Sequence, residues 1–383
     1  MCNCMNGCAV KEYSKVKVLF TTNVPSPYRV DFFNELGKLC DLTVLFEKTT
    51  SSERDKSWGN YKFETFKGVF LKGISISTDK AWCRGFKKYF KDKSYDAIVC
   101  CNYSSPTGMS MIHYMRRHKI RYFIEGDGGF AKSGRGFKEN IKRHFLKDAY
   151  GYFSTAKVHD EYYSTYGAQP EKLYRYPFTS LFEHDIIQSL PTEDEKLVLR
   201  EELGLKEGKI ILSVGQFIHR KGFDIAIKSI ATLTKNIGLY IVGGTSTEEY
   251  ITLKENMHVD NVHFVGFMDK AKLKKYYRAA DLFILPTRED IWGLVINEAM
   301  ANGLPVVSTN RCVAALELIE EGKNGYIVPV DDEKALAEAI NKVLEDEETI
   351  LQMSQASLEI IRAYTFENMA KRHIEVFEQC LKE

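Results

Sequence analysis

The chain has 383 residues, 44% hydrophobic and 27% charged, a globular composition with room for two domains of ordinary size. No apolar run reaches membrane-spanning length, and the N-terminal MCNCMNGCAVKEYSKVK lacks the apolar core of a signal peptide. Formal net charge is +1, yet residues 1–185 hold 30 Lys and Arg against 20 Asp and Glu, whereas residues 186–383 hold 23 against 32. A contrast of +10 against −9 points to an anionic partner for the first half.

Cys2, Cys4 and Cys8 lie in a tail with no fourth metal ligand nearby, so residues 1–14 are expected to be a flexible tail. The other cysteines read as thiols of a cytosolic protein. From residue 15 the chain alternates. Strands are expected at 15–22, 41–47, 95–101, 121–125 and 150–155. PSPYRVDFFNELGKL follows the first as a helix, with Ser26 at the cap and Pro27 at the first position. Further helices are expected at 106–118 and about 135–148. A polar, irregular stretch runs from about 183 to 207. Strands then recur at 209–215, 238–244, 262–267, 281–286, 304–309 and 325–330, with helices between them. TFENMAKRHIEVFEQCLKE (365–383) reads as a closing helix. Such alternation means parallel sheets with crossover helices.

Two stretches of the second half carry chemistry. TREDIWGLVINEAMANGLPVVST (287–309) reads as a strand end, a loop, a helix starting near Gly293, and a strand. In such a unit the loop and helix N-terminus lie at the carboxyl edge of the sheet, where open α/β folds bind ligands. The unpaired first amides of the helix favour an anion. Glu298, one turn inside, suits a sugar hydroxyl better than a phosphate. Asp290 precedes it with seven residues between. Together the pair suggests a ligand bearing both phosphates and hydroxyls. An acid that merely complements the helix dipole is the plainer alternative. The second stretch, SVGQFIHRKGFD (213–224), leaves a strand, turns at Gly215 and enters a helix after Lys221-Gly222. An ammonium there suits a diphosphate. Both stretches belong to the same expected sheet, which strengthens each.

The combination resembles the family-4 retaining glycosyltransferases of GT-B fold, bacterial surface-polysaccharide type. DIWGLVINEAMANGLPVV matches their acid–seven residues–Glu signature, and GQFIHRKGFD is similar to their GRxxxxKGxD segment. PSPYRVDFFNEL looks like the first helix of bacterial members that build surface polysaccharides. The resemblance implies two Rossmann-like doubly wound α/β domains facing a cleft. The domains are expected at 15–185 (acceptor side) and 208–362 (nucleotide sugar), with a linker at 186–207 and a final helix at 363–383 that packs back on the first. It further implies that Glu298 binds ribose hydroxyls and Asp290 the transferred sugar. Amides of Gly293, Leu294 and Val295 would hold the distal phosphate, and Lys221 would neutralise the diphosphate. Gly215, Gln216 and Glu289 join the donor site.

Three departures matter. Asp290 stands where the family usually has Glu, with Glu289 beside it. Gln216 stands where an Arg is common, and Arg220 is not assumed to replace it. NVPSPYR replaces a Gly-rich loop.

In the first half, FIEGDGGF (123–130) offers Asp127 as a third catalytic candidate. Glu125 and Arg29 are candidate acceptor or donor contacts. The alternative for FIEGDGGF is a glycine turn with incidental acids. His113, His118, His144 and His159 lack ligand spacing and are expected at the surface. No Asp-x-Asp pair ends a strand, so no metal and no cofactor are expected. Base contacts are expected around Phe267 and Met268.

The expected activity is hexose transfer from a nucleotide-diphosphate sugar to a saccharide or lipid-linked acceptor. RGFKKYFKDK (84–93) and SGRGFKENIKRHFLKD (133–148) mix cations with Phe. They suggest an anionic membrane surface as partner, through Lys87, Lys88, Lys142 and Arg143, with Phe86, Phe90, Phe137 and Phe145 as anchors if exposed. A plain amphipathic helix on the sheet is the alternative for the second. No motif supports nucleic acid. The expected location is cytoplasmic, peripheral on the inner face of the plasma membrane. A nucleotide-sugar epimerase of GT-B shape and a catalytically silent sugar-nucleotide-binding scaffold stay open.

Overall fold

A computed structural model describes residues 16–49, 62–78, 80–91, 94–132, 134, 136–234 and 236–382. The Cys2, Cys4 and Cys8 tail and parts of both basic stretches (Lys93, Ser133 and Arg135 among them) lie outside the described residues. The architecture is α/β with two Rossmann-like domains. By contacts the chain divides into Met1–Phe123 with His373–Glu383, and Ile124–Arg372.

In the first unit, four parallel strands lie in the order Lys67–Phe70, Asp41–Phe46, Lys17–Thr22 and Ala97–Cys100. The two central strands are exposed at the first residue and buried at the rest, as expected where both faces of a parallel sheet are covered. Pro27–Leu39 forms the first helix; Ser26 takes the cap position, but its hydroxyl makes no cap bond. Phe20 meets Phe33 edge-on at 5.2 Å between centroids. The end of the last helix, Phe366–Leu381, adds His373 at 4.9 Å from Phe32 and Phe377 at 5.7 Å from Phe123. An antiparallel ribbon, Lys72–Ser75 with Ala81–Arg84, had no counterpart in the sequence reading.

In the second unit, Gly151–Ser154 pairs in parallel with Leu173–Arg175. A six-stranded parallel sheet follows, in the order Val262–Val265, Ile237–Val242, Lys209–Val214, Leu282–Leu285, Val306–Thr309 and Gly325–Val328. Numbered along the chain, that order is 3-2-1-4-5-6, the doubly wound nucleotide-binding arrangement. Its core joins Ile211, Leu239, Ile241, Ile284 and Val307 of the strands to Phe223, Ile227 and Ile340 of the helices.

The stretch read as irregular contains a helix, Glu193–Leu203. Thr192 and Glu195 close a capping box, with the Thr192 Oγ1 accepting from the Glu195 amide at 3.2 Å and the Glu195 carboxylate accepting from the Thr192 amide at 2.9 Å. Buried Arg200 then donates to both oxygens of Asp281 at 2.7 and 2.8 Å, fixing this helix at the start of a central strand. High polarity hid a helix whose start signal was legible.

Candidate active site

The switch point of the six-stranded sheet lies between Lys209–Val214 and Leu282–Leu285, neighbours whose chains depart to opposite sides. Two of the sequence candidates meet there. After the first strand the chain turns through a short 3-10 segment, His219–Lys221, and enters the Phe223–Ile230 helix. The Lys221 stem runs along Gly215, where an added Cβ would sit 3.3 Å from the Lys221 Cε. Its ammonium donates to the Asp290 Oδ2 at 2.6 Å, with both side chains about nine-tenths buried. Arg220 flanks the same acid, its Nη1 at 3.3 Å from the Asp290 Oδ1. Gln216 itself is exposed.

Asp290 is held by backbone. Its amide donates to the Arg311 carbonyl at 2.8 Å, and its carbonyl accepts from Val313 at 3.2 Å. Glu289 does not stand in for the shortened acid; it pairs with Arg311 at 2.6 Å. Arg311 in turn lies over the Phe130 ring, 4.0 Å from its centroid. Neither Arg311 nor Phe130 was singled out from the sequence, although Arg311 follows a strand end on the ligand-binding edge.

The Leu294–Ala301 helix starts where the motif reading put it, with Gly293 at the cap and φ of 106°. A side chain at 293 would be strained there, and its Cβ would lie 2.7 Å from the Cys312 Sγ. The amides of Leu294 and Val295 open this helix beside Asp290. Glu298 accepts from the Tyr277 hydroxyl at 3.1 Å and from the Ser180 hydroxyl at 3.5 Å. Desolvation pushes its pKa above the usual carboxylate range, against the lowering effect of the Tyr277 bond. Tyr277, buried beside that acid, is pushed well above the ordinary phenol value and stays a neutral donor.

From Ile124 onward the FIEGDGGF segment belongs to the same unit. Gly128 has φ of 138°, and an added Cβ would overlap the Ile291 carbonyl oxygen. This glycine therefore seats the Asp127 loop directly on the Asp290 loop. Glu125 is fully buried and accepts from the Tyr176 hydroxyl at 3.3 Å, while Asp127 is partly exposed. Beneath the loop lies His159, which the sequence reading placed at the surface. It is fully buried, and Gly126 packs against its ring. Burial pushes its pKa down to about 3, against the raising effect of Glu125, so the ring is neutral. Spacing could not reveal this, because a core histidine leaves no motif.

Arg29 lies in the first unit, buried in the first turn of Pro27–Leu39, with its guanidinium 5.9 Å from the Tyr28 ring centroid. Phe267 is exposed. Among the described residues no group of three His, Cys, Asp or Glu is placed to hold a metal ion.

The fold is that of the GT-B glycosyltransferases. Residues 195–359 match the sequence model of the family described as Glycosyl transferases group 1. An uncharacterized glycosyltransferase of Methanocaldococcus jannaschii is 30% identical over 48% of this chain and 49% of its own length. The amylovoran biosynthesis glycosyltransferase AmsK of Erwinia amylovora is 27% identical over 62% of this chain and 61% of its own. The chain thus spans about half the length of the first relative and less than two thirds of the second. Among solved structures, HepE of Anabaena in complex with UDP superimposes with a TM-score of 0.76 at 16% identity, covering 95% of this chain and 100% of that one.

Proposed function

We propose that this chain is a retaining glycosyltransferase. It moves a hexose-type sugar from a nucleotide-diphosphate sugar to a glycan or lipid-linked acceptor in surface-polysaccharide synthesis, without a metal. The observation that carries the reading is the Lys221–Asp290 pair at the sheet's switch point, beside the open N-terminus of the Leu294–Ala301 helix. An ammonium has three protons, so Lys221 can keep Asp290 and still donate to a phosphate oxygen. Sugar departure leaves charge on the nucleoside diphosphate. Lys221 and the amides of Gly293, Leu294 and Val295 would stabilise that charge. Asp290, held near the ammonium, would take hydroxyls of the sugar, and Glu298 those of the ribose. Asp127, seated on the Asp290 loop, would orient the donor sugar or the acceptor hydroxyl. The HepE complex with UDP and the naming of AmsK for amylovoran biosynthesis support the donor class and the pathway class.

The test is a thermal-shift panel of nucleotide sugars followed by product analysis. A true donor at a hundred times its Kd should stabilise the protein by about 2.7 kcal/mol. Transfer with the anomeric configuration kept, in the presence of EDTA, is the expected result. Binding without turnover would favour a silent scaffold, and an altered donor sugar an epimerase. Loss of transfer on chelation, restored by a divalent ion, would sink the metal-free mechanism. A lipid-linked acceptor and the cationic first half favour a peripheral place on the cytoplasmic membrane face.

A further inference from the structure

The Lys72–Ser75 and Ala81–Arg84 ribbon carries large apolar side chains on its outward face. Ala81 and Cys83 point inward and are buried, whereas the outward face carries Ile74 opposite Trp82 and Lys72 opposite Arg84. Ile74 is 67% exposed, Ile76 just beyond it 56%, and Trp82 42%. The Arg84 guanidinium lies 4.9 Å from the Trp82 ring centroid. Residues 62–91 hold eight Lys and Arg against two acids, Glu64 and Asp79, the latter outside the described residues.

This exposure is built, not frayed. Behind the ribbon, the Ala81 amide donates to the buried Glu47 carboxylate at 3.0 Å. The Cys83 amide donates to the Thr107 Oγ1 at 2.9 Å, and that hydroxyl donates to the Ala81 carbonyl at 2.6 Å. The Lys48 ammonium donates to the carbonyls of Ser77 and Thr78 at 2.9 and 2.8 Å, tying down the turn. Five hydrogen bonds, to Glu47, Lys48 and the helical Thr107, thus hold three large apolar side chains out in water.

We infer that this face docks on an anionic lipid bilayer, with Ile74, Ile76 and Trp82 among the headgroups and Lys72, Lys80 and Arg84 against their charges. The inference rests on the membrane-side acceptor proposed above, and it replaces two of the four anchors expected from sequence: Phe86 and Phe90 are buried and cannot insert, whereas Phe137 is exposed and Phe145 partly so. Trp and aliphatic side chains ringed by cations match the chemistry of an interfacial binder. A second copy fits poorly, because two such faces would meet cation to cation. Two of the three exposed apolar side chains are isoleucines, which offer nucleic-acid bases no stacking face, and Arg84 already lies over the third, Trp82.

The test uses the full chain with phosphatidylglycerol and phosphatidylcholine vesicles. Of the three tryptophans, Trp292 is buried and Trp82 lies on the ribbon, so Trp82→Phe assigns the signal. Wild type should float with phosphatidylglycerol at low salt only, with a blue-shifted emission that is lost in Trp82→Phe. The Lys72→Glu/Arg84→Glu variant should bind at least about tenfold more weakly, as expected when cations near a charged surface are reversed. Its nucleotide-sugar thermal shift should persist, showing an intact fold and donor site. Flotation without a Trp82 shift overturns the ribbon and spares the membrane reading. So does unchanged flotation of that variant when Lys142→Glu/Arg143→Glu abolishes it. A wild type that floats with neither vesicle retires both. Lipid-free dimerisation that is lost in Ile74→Ser/Ile76→Ser would assign the face to a second copy instead.

Discussion

Replacing Glu298 by Gln separates what the fold needs from what the ligand needs. Glutamine keeps the shape and an acceptor oxygen for Tyr277, but it removes the charge. If Glu298 takes ribose hydroxyls, the loss is that of a charge-assisted hydrogen bond, about 1.5–3 kcal/mol, or a roughly ten- to 150-fold rise in Kd. Calorimetry should show the same loss for the nucleoside diphosphate and for the nucleotide sugar, since both carry the ribose. Stability should move the other way. The carboxyl is held above its ordinary pKa by desolvation, against the Tyr277 bond, so the folded state disfavours its charge. That penalty is absent below the unfolded pKa near 4.3. It grows as pH rises through that value and is complete above the folded pKa. Glu298→Gln should therefore melt at or above wild type at pH 7.5, with the gap closing toward pH 4. An unchanged Kd would refute the ribose assignment, and a large fall in melting temperature would show that the acid serves the fold.

Lys221→Ala leaves the Asp290 carboxylate the longer Arg220 ion pair at 3.3 Å. Turnover should fall about ten- to 150-fold, with nucleoside affinity little changed, because diphosphate charge grows as the sugar leaves; equal losses in both would mean uniform binding instead. Gly293→Ala forces a side chain onto φ of 106° with the Cys312 Sγ 2.7 Å away. It should cost about 1–3 kcal/mol and weaken donor binding, and an unaltered melting curve would contradict the strain argument. Burial holds the folded pKa of His159 at about 3, opposed by Glu125. The unfolded chain therefore takes up a proton from about pH 6.5 downward while the folded one does not, and stability falls as pH drops through that window. His159→Gln should flatten this dependence by up to about 1.4 kcal/mol per pH unit, read from urea midpoints at pH 7, 6 and 5.

Periodicity alone located most strands and the helices that carry Arg29, Lys221's neighbours and Glu298, because parallel strands buried on both faces read as continuous apolar runs. The start of the Leu294–Ala301 helix was legible for the same local reason: only glycine takes Gly293's backbone conformation cheaply. The Glu193–Leu203 helix was legible too, from its capping box, but polarity outweighed the cap. Tertiary structure decided everything that depends on which strand lies beside which. The 3-2-1-4-5-6 order brings Lys221 and Asp290, 69 residues apart, into one ion pair. Gly128 seats Asp127's loop against Ile291, and Glu289, beside Asp290 in sequence, pairs with Arg311. Burial was likewise beyond the sequence: His159 went inside, Phe86 and Phe90 followed, and Ile74, Ile76 and Trp82 stayed out. A residue's type states its transfer cost, but the neighbours that cover it or leave it bare come from distant parts of the chain.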